Sequence, residues 1–192
     1  MKIINFLDPA IKRKKDLTNK NYQLIKNTKL PLPSEVEISE SGVCNRKCTF
    51  CPRSAPDFKE VKEFISPQLH SKLIDQLKDE NYRGVVRYSG FVEPLLDKNI
   101  FNLISETSSK LPNAKVEIVT NGDVLNKDRL KKIFKSGLTT LLISVYDGPE
   151  DAEKFDKMCL DEKLKPSQYV IRHSYYSEEK DFGLTISNRA GM

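Results

Sequence analysis

Residues 139–146 read TTLLISVY, a nearly continuous apolar run without alternation. A strand with one face in water alternates apolar and polar residues, so an unbroken run suits a parallel strand covered on both faces. Working upstream, Leu130, Ile133 and Phe134 share one face of a helix that ends at Gly137, a residue fitted to the left-handed C-terminal cap. KVEIVTNG (115–122) is a strand closed by an Asn-Gly turn. Before it, a helix from near Asp97 turns Ile100, Leu103 and Ile104 inward and stops ahead of Pro112. GVVRYSG (84–90) is another strand. Ser66 and Pro67 open a helix as N-cap and first residue, with a stripe of Leu69, Leu73, Ile74 and Leu77. EVEIS (35–39) is a short strand, and residues 52–65 show no period and read as loop.

Downstream, Pro149 opens a helix with Ala152, Phe155 and Cys159 inward. QYVIRHS (168–174) and LTISN (184–188) are a fifth and a short sixth strand. Strands alternating with helices, at crossovers of about 30 residues, predict an α/β fold of parallel strands. Six units make a partial (β/α)6 TIM-like barrel rather than the full eight. The chain stops at Asn188-Arg189-Ala190-Gly191-Met192 without a closing helix, which is expected of a truncation.

Length and composition agree with one domain and an arm: 192 residues, 38% hydrophobic and 31% charged. The net charge of +5 is uneven. Residues 1–33 hold eight Lys/Arg against Asp8 and Asp16, whereas the other 159 residues carry 24 basic and 25 acidic side chains. We therefore expect a basic N-terminal arm over 1–33, solvated or touching RNA or a membrane surface, and a core domain over 34–192. The near-neutral body argues against a nucleic-acid partner. The longest apolar run is far below the roughly 18 residues of a membrane span. Without an apolar leader and cleavage site, the expected location is cytoplasmic.

In parallel α/β folds, ligands bind at the carboxyl ends of the strands. The polar residues collect there: Cys44, Cys48 and Cys51 after the first strand, Glu93-Pro94 after the second and Thr120-Asn121-Gly122 after the third. Ser144, Tyr146 and Asp147 follow on the fourth, Arg172 and His173 on the fifth, Asn188-Arg189 on the sixth. The cysteines read C-x3-C-x2-C. Three thiolates from one short loop can ligate three irons of a four-iron cubane and leave the fourth open to a chelating molecule. Structural zinc prefers four closed ligands in two pairs, and Cys159, far along the chain on a buried helix face, is expected to be core packing instead.

This cysteine spacing, with Phe50 before the last cysteine, resembles the radical S-adenosylmethionine (radical SAM) enzymes over roughly residues 34–192. The resemblance implies a [4Fe–4S] cluster on Cys44, Cys48 and Cys51, whose open iron binds the amino and carboxylate groups of S-adenosylmethionine. It implies reductive cleavage to methionine and a 5′-deoxyadenosyl radical that takes hydrogen from substrate. Phe50 would lie beside the adenine, and Gly90 and Glu93 of SGFVEP would meet the methionine amino group. Ser144 matches a ribose or carboxylate contact, and Arg172 a carboxylate partner. The segment DFGLTISNRAGM resembles the stretch before the C-terminal domain of the SPASM-type branch, which implies a peptide or small-metabolite substrate such as a sugar. A reductant such as flavodoxin or ferredoxin is the implied partner.

Val92 stands where the family often has Gly. A β-branched residue does not take positive φ comfortably, so either the backbone there is ordinary or the methionine pocket is altered. Plainer readings stay open for other residues. Glu93 can cap a helix, Thr120-Asn121-Gly122 can be a turn, and Asp147 can cap a helix or touch a ligand. His70 reads as surface or partly packed, while His173 is open to a proton-transfer role. Arg46, Lys47 and Arg53 either offset cluster charge or are solvated. The rival functions are a non-catalytic iron–sulfur module and a zinc-binding structural module.

Overall fold

Each predicted strand that falls within the described part of the chain forms, and all pair in parallel. The structure, a computed structural model, describes residues 22–175 together with Asp16. The expected sixth strand at 184–188, the chain end and most of the basic arm lie outside the described residues. Strands β1 (Glu35–Ile38), β2 (Val85–Tyr88), β3 (Lys115–Thr120), β4 (Thr140–Val145) and β5 (Tyr169–His173) form one sheet in chain order. Helices α1 (Pro67–Asp79), α2 (Ile100–Lys110), α3 (Lys127–Lys135) and α4 (Pro149–Asp161) make the four crossovers. A sheet wound one way, with neighbours in sequence always neighbours in space, is an open segment of a β/α barrel.

The register shows why the two faces differ. Successive residues of a strand point to opposite sides. One side carries Ile38, Val86, Tyr88, Ile118, Leu141 and Ile143, and these join Ile74, Ile104, Leu130, Ile133 and Phe155 of the helices in one apolar core. The other side carries a row of polar partners, Glu37 beside Arg87, Arg87 beside Glu117 and Glu117 beside Thr140. Ser144 beside Arg172 belongs to this concave side as well. TTLLISVY therefore has an apolar character for two reasons: half of it faces helices and half faces a closed inner wall.

Local signals operate as read for three of the helices. Ser66 Oγ accepts from Leu69 N, with Pro67 in the first turn. Asn126 caps α3, and Gly137 beyond its end takes φ 101°. Cys159 is fully buried in the core. The helix expected from near Asp97 starts later. Pro94–Leu96 form a 3-10 turn, Asp97 Oδ1 accepts from Asn99 N at 2.8 Å, and regular helix begins at Ile100.

The stripe of α1 is a correction. Leu69 and Leu73 are 51% and 36% exposed, whereas His70 and Ile74 are at 0%. The inward row is His70 and Ile74 with the partly buried Leu77, one position round from the leucine row, because the imidazole finds partners inside. Its Nε2 lies 2.8 Å from Tyr88 Oη and its Nδ1 2.8 Å from Glu106 Oε2. A buried polar ring is tolerated when both nitrogens are satisfied. Hydrophobic periodicity alone does not register such partners.

The described end of the arm is docked. Gln23 Nε2 donates to Asn81 O at 3.0 Å, Arg83 N donates to Gln23 Oε1 at 2.8 Å, and Lys26 N donates to Glu80 Oε2 at 2.8 Å.

Candidate active site

The cysteine loop leaves β1 through a tied neck. Gly42 N donates to Glu63 O at 3.0 Å and Ile65 N to Glu40 O at 2.7 Å, with an antiparallel bridge between Ser41 and Phe64. A Cβ on Gly42 would stand 2.1 Å from Val61 O, so only glycine lets the two backbones approach this closely. Inside the loop, Cys51 N donates to Cys48 O at 2.9 Å, and Glu93 N donates to Val43 O at 2.8 Å. The three cysteines are free and partly exposed, and all face a cavity of about 420 Å³ at the carboxyl ends of the strands. Burial pushes the Cys44 and Cys48 thiols up, so taking a metal there displaces protons.

The cavity brings together the eight residues that the resemblance assigns to the cofactors: the three cysteines with Phe50, then Gly90 and Glu93, then Ser144 and Arg172. Thr120, Asn121 and Tyr146 line it too, whereas Asp147 and His173 do not, and Asn188-Arg189 lie outside the described residues. Phe50 is held with its ring centroid 5.2 Å from that of Tyr146. Gly90 has φ 130°, and a Cβ there would stand 2.2 Å from Ser39 Oγ. Val92 has an ordinary backbone, since the non-glycine residues of positive φ among those described are Asn27, Asn81 and Lys163. Arg172 Nη1 lies 3.5 Å from Ser144 Oγ across the β4–β5 pair.

Glu93 serves as a buried anchor as well as a lining residue. Its carboxylate accepts from Leu95 N at 3.0 Å, Thr120 Oγ1 at 2.7 Å and Asn121 N at 2.7 Å. Burial pushes its carboxyl up, against these donors. Glu93 caps the 3-10 turn Pro94–Leu96 rather than α2, whose N-cap is Asn99, and it lies at the rim, where Thr120-Asn121-Gly122 is the turn it secures.

The charged flanks of the cysteines differ from expectation. Arg46 neither faces open solvent nor keeps its charge unpaired: its guanidinium is bonded to Asp123 and Asp147 and lies 5.6 Å over the Tyr146 ring. Asp147 is drawn to Arg46, which holds its carboxyl below the usual range, and Gly148 caps α4 in its stead. Arg53 is buried, donating to Gly42 O at 2.9 Å and Phe91 O at 3.3 Å. Lys47 is solvated, 3.8 Å from Glu60. His173 is exposed with Nδ1 2.8 Å from Tyr175 Oη.

Sequence reasoning missed two features. Asp123 follows an Asn-Gly turn and carries no motif, yet it ties the cysteine loop to the β3 loop through Arg46 and Asn45. On the inner wall Arg87 donates to Glu35 at 2.6 Å and Glu117 at 2.9 Å. The one signal for this cluster was charge at alternate positions of strands otherwise apolar.

The donor set fits the cofactors expected of it. Three thiols on one loop face a space large enough for a cubane and a chelating ligand, with an aromatic ring and a positive-φ glycine on the same rim. Among the described residues no three His, Cys, Asp or Glu converge on a single metal ion. A cubane asks instead for sulfurs spread over three irons.

Residues 38–170 match the Radical SAM superfamily. The chain belongs to that superfamily, whose members use S-adenosylmethionine with a [4Fe–4S] cluster. It is 30% identical over 161 residues to the S-adenosyl-L-methionine-dependent 2-deoxy-scyllo-inosamine dehydrogenase of Niallia circulans, covering 83% of this chain and 60% of that protein. It is 29% identical over 128 residues to biotin synthase of Thermotoga petrophila, covering 65% and 42%. The crystal structure of BtrN in complex with AdoMet and 2-DOIA superposes with a TM-score of 0.62 at 29% identity, over 73% of this chain and 56% of that one. The chain thus spans 60% or less of the length of these relatives. Among the described residues, no helix is long and apolar enough to cross a membrane.

Proposed function

We propose that this chain is the cofactor-binding core of a radical SAM enzyme of the SPASM-type branch that oxidises a small hydroxylated metabolite. Cys44, Cys48 and Cys51 hold the cluster. Phe50 packs beside the adenine, Gly90 and Glu93 shape the methionine end, and Ser144 and Arg172 bind the ribose or carboxylate. When bound, the reduced cluster supplies an electron that cleaves S-adenosylmethionine to a hydrogen-abstracting 5′-deoxyadenosyl radical. The observation carrying this reading is that all eight residues face one cavity at the carboxyl ends of the strands.

The protein's own part is placement and shielding. Arg46 and Glu93 fix the cysteine loop against the rims of β2, β3 and β4, so the three thiols are presented from one side. The cavity wall at Glu37 and Arg87 is polar, suited to hydroxyl or amino groups rather than to an acyl chain, and Glu117 holds Arg87 from behind. A small polar substrate agrees with the aminocyclitol named for the Niallia circulans relative, and we favour it over a peptide. In this reading the core spans 34–192 behind a basic arm, the enzyme works in the cytoplasm, and flavodoxin or ferredoxin is its reductant.

The test is anaerobic reconstitution followed by electron paramagnetic resonance of the reduced protein, with and without S-adenosylmethionine, and assay of 5′-deoxyadenosine in the same tube. A shifted signal with product supports the enzyme. A cluster signal indifferent to S-adenosylmethionine, with no product, leaves the iron–sulfur binding module as the reading for this chain alone, which the 60% coverage of its relative makes the second hypothesis.

A further inference from the structure

Asn121 is placed against the first cysteine with its amide fully used. Its Oδ1 accepts from Asp123 N at 3.0 Å, and its Nδ2 donates to Asn45 Oδ1 at 2.8 Å while lying 4.0 Å from Cys44 Sγ. A backbone N–H meets only an acceptor, so the contact with Asp123 decides which end of the amide is oxygen. The NH2 group must then face Asn45 and Cys44. The residue is held from behind as well, because Asn121 N donates to Glu93 Oε2. Asn45 is steadied in turn by donating to Asp123 Oδ2 at 2.7 Å.

Cys44 Sγ also lies 3.5 Å from Arg46 N. Among the described residues, donors reach the sulfur of Cys44 and not those of Cys48 or Cys51. The loop is therefore asymmetric in a way its C-x3-C-x2-C spacing does not show.

We propose that Asn121 donates a hydrogen bond to the Cys44 thiolate and thereby raises the reduction potential of the cluster. This rests on the reading of Cys44, Cys48 and Cys51 as its ligands. One-electron reduction adds negative charge that is shared with the coordinating sulfurs. A donor aimed at one of them stabilises the reduced form more than the oxidised form. Glu93 and Asn45 are then positioning residues, holding the amide rather than touching the cluster.

The test uses the full chain, reconstituted as wild type, Asn121→Ala, Asn121→Asp and Asn45→Ala, with iron and sulfide counted before a redox titration followed by electron paramagnetic resonance without S-adenosylmethionine. With equal cluster content, both Asn121 variants should titrate at more negative potential, and Asn45→Ala should move the same way by less. Equal potentials in all four proteins would overturn the proposal. So would loss of the cluster in the Asn121 variants together with an unchanged potential in Asn45→Ala, since Asn121 would then only support the loop. A wild-type chain that takes up no cluster refutes the ligand reading itself, which the iron count separates from the other outcomes.

Discussion

Arg46 Nη1 donates to Asp147 Oδ1 at 3.0 Å across 101 residues of sequence. Together with Asp123, this pair staples the cysteine loop to the loops after β3 and β4. The partners are partly exposed, and exposed pairs contribute roughly 0–1 kcal/mol to folding. The expected effect of Arg46→Ala is therefore on the loop and not on the fold: a melting temperature near wild type, with faster loss of iron to a chelator. A large drop in melting temperature would show that the staple is structural.

Cysteine substitutions should separate ligands from core. Replacing Cys44, Cys48 and Cys51 by Ala should leave no four-iron cluster after reconstitution. Cys159→Ser should keep the cluster and lower stability by about 1–3 kcal/mol, because a hydroxyl would enter an apolar site at 0% exposure. Iron and sulfide analysis with urea unfolding checks both halves.

Gly90→Ala should weaken binding of S-adenosylmethionine by tenfold or more. The added Cβ would approach Ser39 Oγ to 2.2 Å, at a φ of 130° that side chains rarely adopt. Equilibrium binding to the reconstituted protein reads the change, and unchanged affinity would take Gly90 out of the site.

Glu40 should make the fold less stable as pH rises from 4.5 to about 8. Burial, reinforced by Asp97 and Glu93, outweighs the hydrogen bonds from its own backbone N–H and from Ser41 and raises its carboxyl from 4.5 to about 8. One carboxyl oxygen has no partner among the described residues. A raised acid binds its proton more tightly when folded, so its contribution is greatest below 4.5 and is lost as pH rises through about 8. Urea unfolding of Glu40→Gln should show a flatter profile over that window.

Glu106 has the opposite sign. Burial would raise it, but hydrogen bonds from Lys110, Ser71 and His70 prevail and hold it at about 2. Its contribution is present above 4.5 and is lost as pH falls through about 2. The melting temperature of wild type should fall across that interval more steeply than that of Glu106→Gln. Parallel curves would remove Glu106 from the account.

Much of the fold was legible because its signals are local. The Ser66-Pro67 start, the Gly137 stop and the run TTLLISVY each state their structure within a few residues, since capping and face burial act over one turn or one strand. The site was partly legible for a related reason. Cysteine spacing is a short-range constraint on which sulfurs can share a cluster, and strand ends place the remaining rim residues.

Other features depend on distant segments meeting. His70 is buried because Tyr88 and Glu106 wait on β2 and α2, and no periodicity in α1 reports them. Asp123, Asn45 and Arg87 carry no motif, and their roles arise only when three loops or three strands converge. Residue order by itself determined the parallel β/α alternation and the three-cysteine loop, through burial patterns and short-range geometry. Tertiary structure alone decided which polar side chains pair at the rim, because a hydrogen bond requires two groups within about 3 Å whatever their separation along the chain.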